Sequence, residues 1–401
     1  MMMAFFASAA VLWFIAPSLQ AVLPTSYATS SSSSNPFGPL KFRDDGTFQI
    51  SIFEDLHFGE NAWDSWGPQQ DINSVKVINQ ILDNESPQLV VLNGDLITGE
   101  NTFKENSTTY VDQIVGPLVS RNLTWASTYG NHDSDFNLSR EGILERERLW
   151  ANSRTRSMVP GPNAGVTNYY LPVYPANCTF TASPAAASSL PCTPELILWF
   201  FDSRGGHYYQ TLDADGIRVG MPDWVDTSVV DWFRQTNAQL VRDHGTTIPS
   251  LAFVHIPTNA SQALQTTSPG VDANRQPGVD DDYVLAAQGQ GWCADGVTDD
   301  GSCDTWCYKW EGVLPGMTVA GKGLNLCFGQ HSGYGGYGNW IRGSRQILVS
   351  REQLKDLAVD TWIRTEAGTV VGSVSLNATY GTDLYPATPD DETYCPACEY
   401  S

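Results

Sequence analysis

The chain is short of positive charge: 22 Lys and Arg stand against 44 Asp and Glu in 401 residues, a formal net charge of −22. A field of that sign repels polyanions, so no nucleic-acid partner is expected. Residues 1–28 carry no charged side chain at all, and no internal repeat is visible. The apolar block Ala4–Ala16 is too short to span a bilayer, which takes about 20 residues. It has the length of a signal-peptide core instead, and Ser26-Tyr27-Ala28 has the small-x-small form of a cleavage site, with Ala21 as a second candidate. The expected product is secreted, extracellular or vacuolar, with no stable membrane insertion after cleavage. Histidine is scarce as well, only six in all.

Two things that are plentiful agree with secretion. Asn-x-Ser/Thr sequons stand at Asn84, Asn106, Asn122, Asn137, Asn177, Asn259 and Asn377, so N-glycans are expected, least at Asn84 because Pro87 follows its sequon. Eight cysteines make an even count, as an oxidising compartment favours. Of the many possible pairings only Cys178–Cys192 is assigned, closing a Pro/Ala/Ser-rich loop. Cys395-Pro-Ala-Cys398 reads as a structural staple near the C-terminus.

The expected organisation is a signal peptide 1–28, a Ser-rich linker 29–40, one domain 41–385 and an acidic tail 386–401. Within the domain, Phe48–Phe53, Leu89–Leu92, Trp125–Tyr129, Leu196–Phe201 and Leu251–Val254 read as strands. Ile72–Leu82, Val111–Val119, Arg140–Trp150 and Ser228–Asp243 have helical spacing. This alternation predicts a layered α/β sheet fold. Residues 256–346 are rich in Gly, Asp, Trp and Cys, with only Tyr283–Ala287 regular, and Ile347–Val349 and Thr369–Leu376 read as closing strands.

Chemistry concentrates where the strands stop. Asp55-Leu-His57 follows the first run, Asn93-Gly94-Asp95 the second, Gly130-Asn131-His132-Asp133 the third, and His255 ends the run from Leu251. Strand ends are where open α/β sheets place ligand sites. Two cations about 3.5–4 Å apart clamp a phosphoester and acidify a water, and holding them takes one bridging carboxylate and several N/O donors. Asp55 and His57 project to one side and suit one ion; Asp95 suits the bridge; Asn131 and His255 suit the second ion. His132 is placed to protonate the leaving oxygen, with Asp133 to orient it. The structural alternative for His207 and His244 is a surface or capping role. Asp280–Asp282 and Asp299–Asp300 read as solvated acidic loops, and most of the tryptophans as packing, with Trp292, Trp306 and Trp310 as candidates to line a pocket.

These strings, in this order, resemble the calcineurin-like metallophosphoesterases. Val254-His255-Ile256-Pro257 and the run Cys327–Gly338 are similar to a secreted or vacuolar purple acid phosphatase-like branch of fungi and plants. The resemblance implies a layered α/β-β-α sandwich and two divalent or trivalent ions (Fe, Zn or Mn) on Asp55, His57, Asp95, Asn131 and His255. It also implies hydrolysis of a phosphorylated small molecule or phosphoprotein by a metal-bound hydroxide, with His132 as acid. A phosphodiesterase is the alternative within the class. Two features depart from the family pattern. Thr98 stands where purple enzymes carry a tyrosine, and the Gly-His-x-His turn that supplies two more imidazoles is missing, as if a block had dropped out between Cys303 and Asp304. The departure implies the different-class alternative, a non-catalytic glycoprotein of the same fold.

Overall fold

Alternation within the apolar runs decides which side of each strand faces which layer. The computed structural model describes residues 37–179, 192–267, 270, 272–278, 307–314, 317, 320–336, 338–389 and 391–393. The chain divides into Met1–Pro36 and Phe37–Ser401, and the first unit lies outside the described residues. So do the expected signal peptide, residues 283–287, the acidic loops 280–282 and 299–300, Trp292 and Trp306, the Cys395–Cys398 pair and the junction at 303–304.

The chain opens with β1 (Leu40–Lys41), β2 (Thr47–Phe53), α1 (Trp66–Asn84), β3 (Leu89–Asn93), α2 (Tyr110–Ser120), β4 (Trp125–Thr128) and α3 (Arg140–Glu147). It continues through β5 (Tyr169–Tyr174), β6 (Leu196–Phe201), the hairpin β7 (His207–Leu212) and β8 (Arg218–Gly220), α4 (Thr227–His244) and β9 (Ser250–Val254). After α5 (Asn259–Thr266) come the hairpin β10 (Cys307–Val313) and β11 (Ala320–Cys327), and the meander β12 (Gly343–Ser350), β13 (Val359–Thr365) and β14 (Val370–Leu376).

Two sheets hold the domain. The larger has the order β14-β13-β12-β2-β3-β4, the smaller β1-β5-β6-β9. Ile50 and Ile52, Leu89 and Val91, and Ala126 pack with Leu171, Leu198 and Phe200 between the sheets. Their alternates, Phe53, Val90, Leu92 and Trp125, face the other way and pack with Val77, Ile78 and Ile81 of α1, Ile114 and Leu118 of α2, and Ile143 of α3. On the far side Ile197 and Trp199 meet Trp232, Phe233 and Leu240 of α4. Strands covered on both faces need apolar residues at every position, which explains the unbroken runs. The arrangement is the expected α/β-β-α sandwich.

Helix ends follow local chemistry. Asp226 caps α4 by accepting from Ser228 N, and Gly245 (φ +70°) ends it. Ser139 caps α3 through Gly142 N. The Cys178–Cys192 disulfide is present, and Cys307–Cys327 joins facing positions of β10 and β11. The expectation of almost no regular structure in 256–346 is corrected by α5 and the β10–β11 hairpin. Leu40 pairs with Val173, so strand pairing starts inside the expected linker 29–40. The expected tail also reaches the fold: Thr393 N donates to Asn339 O at 2.6 Å. Among the described residues no helix is long and apolar enough to cross a membrane.

The buried face of α1 carries one anomaly, Asp71, which accepts from Gly59 N at 3.1 Å. Burial, outweighing that hydrogen bond, pushes its carboxyl up to about 7. The native state therefore keeps a proton that the unfolded chain releases near pH 4. Stability from this group is full below that pH and is lost as pH rises through about 7. Asp71→Asn is expected to melt higher than the wild type at pH 8 and no higher at pH 4. Equal differences at both pH values would refute the assignment.

Candidate metal centre

Four strand ends carry the expected residues, and the contacts bring Asp55, His57, Asp95 and His255 together. Asp55 and His57 follow β2, Asp95 follows β3, Asn131 follows β4, and His255 follows β9 of the other sheet. Asp55 (φ +51°), His57 (φ +47°) and Asp95 (φ +48°) all take left-handed backbone conformations. Non-glycine residues rarely do so, and such strain clusters at functional sites. Part of it is held by hydrogen bonds between the two loops: Leu56 N and His57 N both donate to Asp95 O, at 2.8 and 3.0 Å.

Asp95 is the hub and is wholly buried. Its Oδ2 lies 3.2 Å from His255 Nε2 and 3.8 Å from His57 Nε2, while Oδ1 accepts from His132 N at 2.7 Å. His57 Nε2 lies 4.0 Å from Asp55 Oδ1. Asp55, Asp95 and His255 bring one potential ligand atom each to within 4.8 Å of one another. Burial alone would raise Asp95, but the imidazoles of His255, His132 and His57 outweigh it and hold the carboxyl well below the usual range.

Each imidazole is oriented by its other nitrogen. His255 Nδ1 donates to Asn93 O at 2.9 Å, since a carbonyl can only accept, and this turns Nε2 towards Asp95 and the site. His57 Nδ1 meets Thr98 Oγ1 at 3.2 Å. Thr98 therefore serves the site, although it is not the tyrosine of purple enzymes.

Asp133 is placed differently from expectation. Its carboxylate accepts from Leu96 N, Ile97 N and Gly130 N at 2.9, 3.0 and 2.9 Å, so it braces the loops after β3 and β4. Burial, then the charge of Asp95, pushes it up to about 7. The carboxylate beside His132 Nδ1 is that of Glu100, at 2.5 Å. Glu100 sits on the 3₁₀ turn Gly99–Asn101, five residues beyond Asp95 on the same strand-end loop. That proximity was the signal in the sequence. Burial would raise Glu100, and the neighbouring His132 more than reverses it.

The Gly-rich loop after β11 packs beside the site. His331 is fully buried, its ring stacked on His57 with centroids 6.2 Å apart, and burial drives it well below its usual range. It is not among the three residues that converge as possible metal ligands. His207 pairs with Asp135 at 2.9 Å on the β7–β8 hairpin, and His244 lies in the last turn of α4.

The chain belongs to the calcineurin-like phosphoesterase family, whose model matches residues 55–286. It is similar to "Probable inactive purple acid phosphatase 28" of Arabidopsis thaliana, 27% identical over 89% of this chain and 90% of that one. "Probable inactive purple acid phosphatase 14" of the same plant is 24% identical over 80% of this chain and 79% of its own length. Among solved structures, a dimetal phosphatase from Danio rerio aligns with a TM-score of 0.44 and 12% identity, covering 82% of this chain and 98% of that one.

Proposed function

We propose that this chain is a metal-dependent phosphatase that hydrolyses phosphomonoesters of a small molecule or a phosphoprotein. The observation that carries the reading is the convergence of the carboxylates of Asp55 and Asp95 with the imidazoles of His57 and His255. Asp95 Oδ2 faces the imidazoles of His255 and His57 at 3.2 and 3.8 Å, and Asn131 Oδ1, on the loop after β4, is buried without a hydrogen-bond partner. Such atoms are costly unless something else satisfies them, and mixed O/N donors suit Fe, Zn or Mn. Asp55, His57 and Asp95 would hold one ion, and Asp95, Asn131 and His255 the other. Bound ions would supply positive charge to the phosphoryl oxygens and lower the pKa of a water.

The remaining work belongs to side chains. His132 donates a proton to the leaving oxygen, and Glu100 holds its ring through Nδ1, leaving Nε2 towards the substrate. Thr98 and Asn93 fix the two ligand imidazoles. Asp133 braces the loops and takes no part in proton transfer. We further propose that the protein passes through the secretory pathway and is N-glycosylated. Two disulfides support this, as do Asn84, Asn122, Asn177 and Asn259, which are exposed sequon asparagines.

A second reading, a metal- or phosphate-binding protein without turnover, is favoured by the word "inactive" in the names of the plant relatives and by the missing Gly-His-x-His. One preparation separates them: the full chain expressed in a eukaryotic host, recovered from the medium, and assayed on an aryl phosphate with Mn, Zn or Fe. Turnover that falls about 10²- to 10⁴-fold in His132→Ala is expected. Metal binding without turnover under any ion would establish the second reading, and protein retained in the cell would refute secretion.

A further inference from the structure

Ligands from two different sheets need a device that keeps the sheets in register at the site. Asp55, His57, Asp95 and Asn131 come from the larger sheet and His255 from the smaller. We infer that Arg140, held by Asp202, is a positioning residue that sets Asn131 and His132 against His255. This rests on the metal-binding reading above.

Arg140 is the first residue of α3 and only 2% exposed, and Asp202, directly after β6, is fully buried. Arg140 Nη2 donates to Gly130 O at 2.7 Å and to Gly205 O at 3.2 Å. The first carbonyl belongs to the loop carrying Asn131, the second to the loop leaving the smaller sheet. Arg140 Nε lies 3.3 Å from Asp202 Oδ1. Asp202 is anchored in turn: Oδ2 accepts from Val166 N at 2.6 Å and Oδ1 from Arg204 N at 2.8 Å. Beside this strap the two loops touch, for a Cβ on Gly205 would stand 2.7 Å from Asn131 Cβ.

A buried ion pair is a poor source of stability, since desolvation offsets most of its attraction. A planar guanidinium spanning two carbonyls supplies geometry instead. Lysine at this position keeps the charge beside Asp202 but lacks the rigid fork. Partners that orient metal ligands typically change affinity 10- to 100-fold when altered.

The test compares wild-type protein with Arg140→Lys, both stripped of metal and titrated with Mn²⁺ alone. The wild type is expected to bind in two steps. In Arg140→Lys the weaker step is expected to loosen about 10- to 100-fold while the tighter step stays unchanged. Amide hydrogen exchange of 129–135 in the metal-free proteins is the second readout, expected to be faster in the variant at unchanged melting temperature. Both steps unchanged, or both loosened equally, overturns the inference. A wild type that binds no Mn²⁺ overturns the metal-binding reading, and the exchange comparison then decides Arg140: equal exchange rejects it, and faster exchange confined to 129–135 supports it.

Discussion

Asp95→Asn is expected to lower phosphoester turnover about 10³-fold or more and to empty the site of metal. One buried carboxylate makes the contacts that matter: 3.2 Å to His255 Nε2, 3.8 Å to His57 Nε2, and a hydrogen bond from His132 N at 2.7 Å. Asparagine keeps the shape and the acceptor for His132 N but removes the negative charge that both ions would share. The fold should therefore survive while the metal does not. Because a ligand that binds only the native state raises its stability, chelator should lower the melting temperature of the wild type and leave that of Asp95→Asn unmoved. Metal analysis, turnover and thermal melts with and without chelator check this together. A variant that keeps wild-type metal content would remove Asp95 from the centre of the site.

Gly94→Ala is expected to damage both stability and metal binding, because the added methyl group meets a proposed ligand. Gly94 has φ +96°, and a Cβ there would stand 2.4 Å from His255 Nδ1 and 2.5 Å from its Cγ. Alanine resists that φ, and the imidazole cannot retreat without losing its hydrogen bond to Asn93 O. Strain and overpacking together suggest a loss of about 2–4 kcal/mol, with weaker metal binding through the displaced ring. Gly116 is the control: it lies inside α2 with nothing within 4 Å of an added Cβ. Gly116→Ala should stabilise by roughly 0.5–1 kcal/mol. Denaturant melts of both variants measure the contrast, and equal effects would mean that His255 is not packed as described.

Some elements were legible because their signals are local. Phe48–Phe53, Leu89–Leu92 and Leu196–Phe201 lie within or coincide with β2, β3 and β6, since strands buried on both faces leave unbroken apolar runs. The strand Val359–Thr365 has no such local signal: its buried positions are Val, Thr, Ile and Thr, which reads as polar sequence. The hairpins β7–β8 and β10–β11 lack one for a related reason, because they contribute little to the core. The spacing predicts a helix over Arg140–Trp150, whereas α3 stops at Glu147, whose carboxylate accepts from Trp125 Nε1 and Tyr129 OH at 3.1 Å each.

The sequence by itself determined the class of fold, the order of the strand-end motifs, the Cys178–Cys192 bridge and the nearness of Asp55, His57 and His255 to Asp95. Each is written in short stretches where residue type and spacing carry the physics. Only the tertiary structure decided the partners. It put Glu100 at His132 and turned Asp133 back onto three backbone amides, because a loop's direction depends on what it packs against. It also joined Arg140 to Gly130 and to Gly205, 65 residues apart from Arg140 in sequence. Contacts between two sheets are set by how the layers stack, and spacing along one chain carries no record of that.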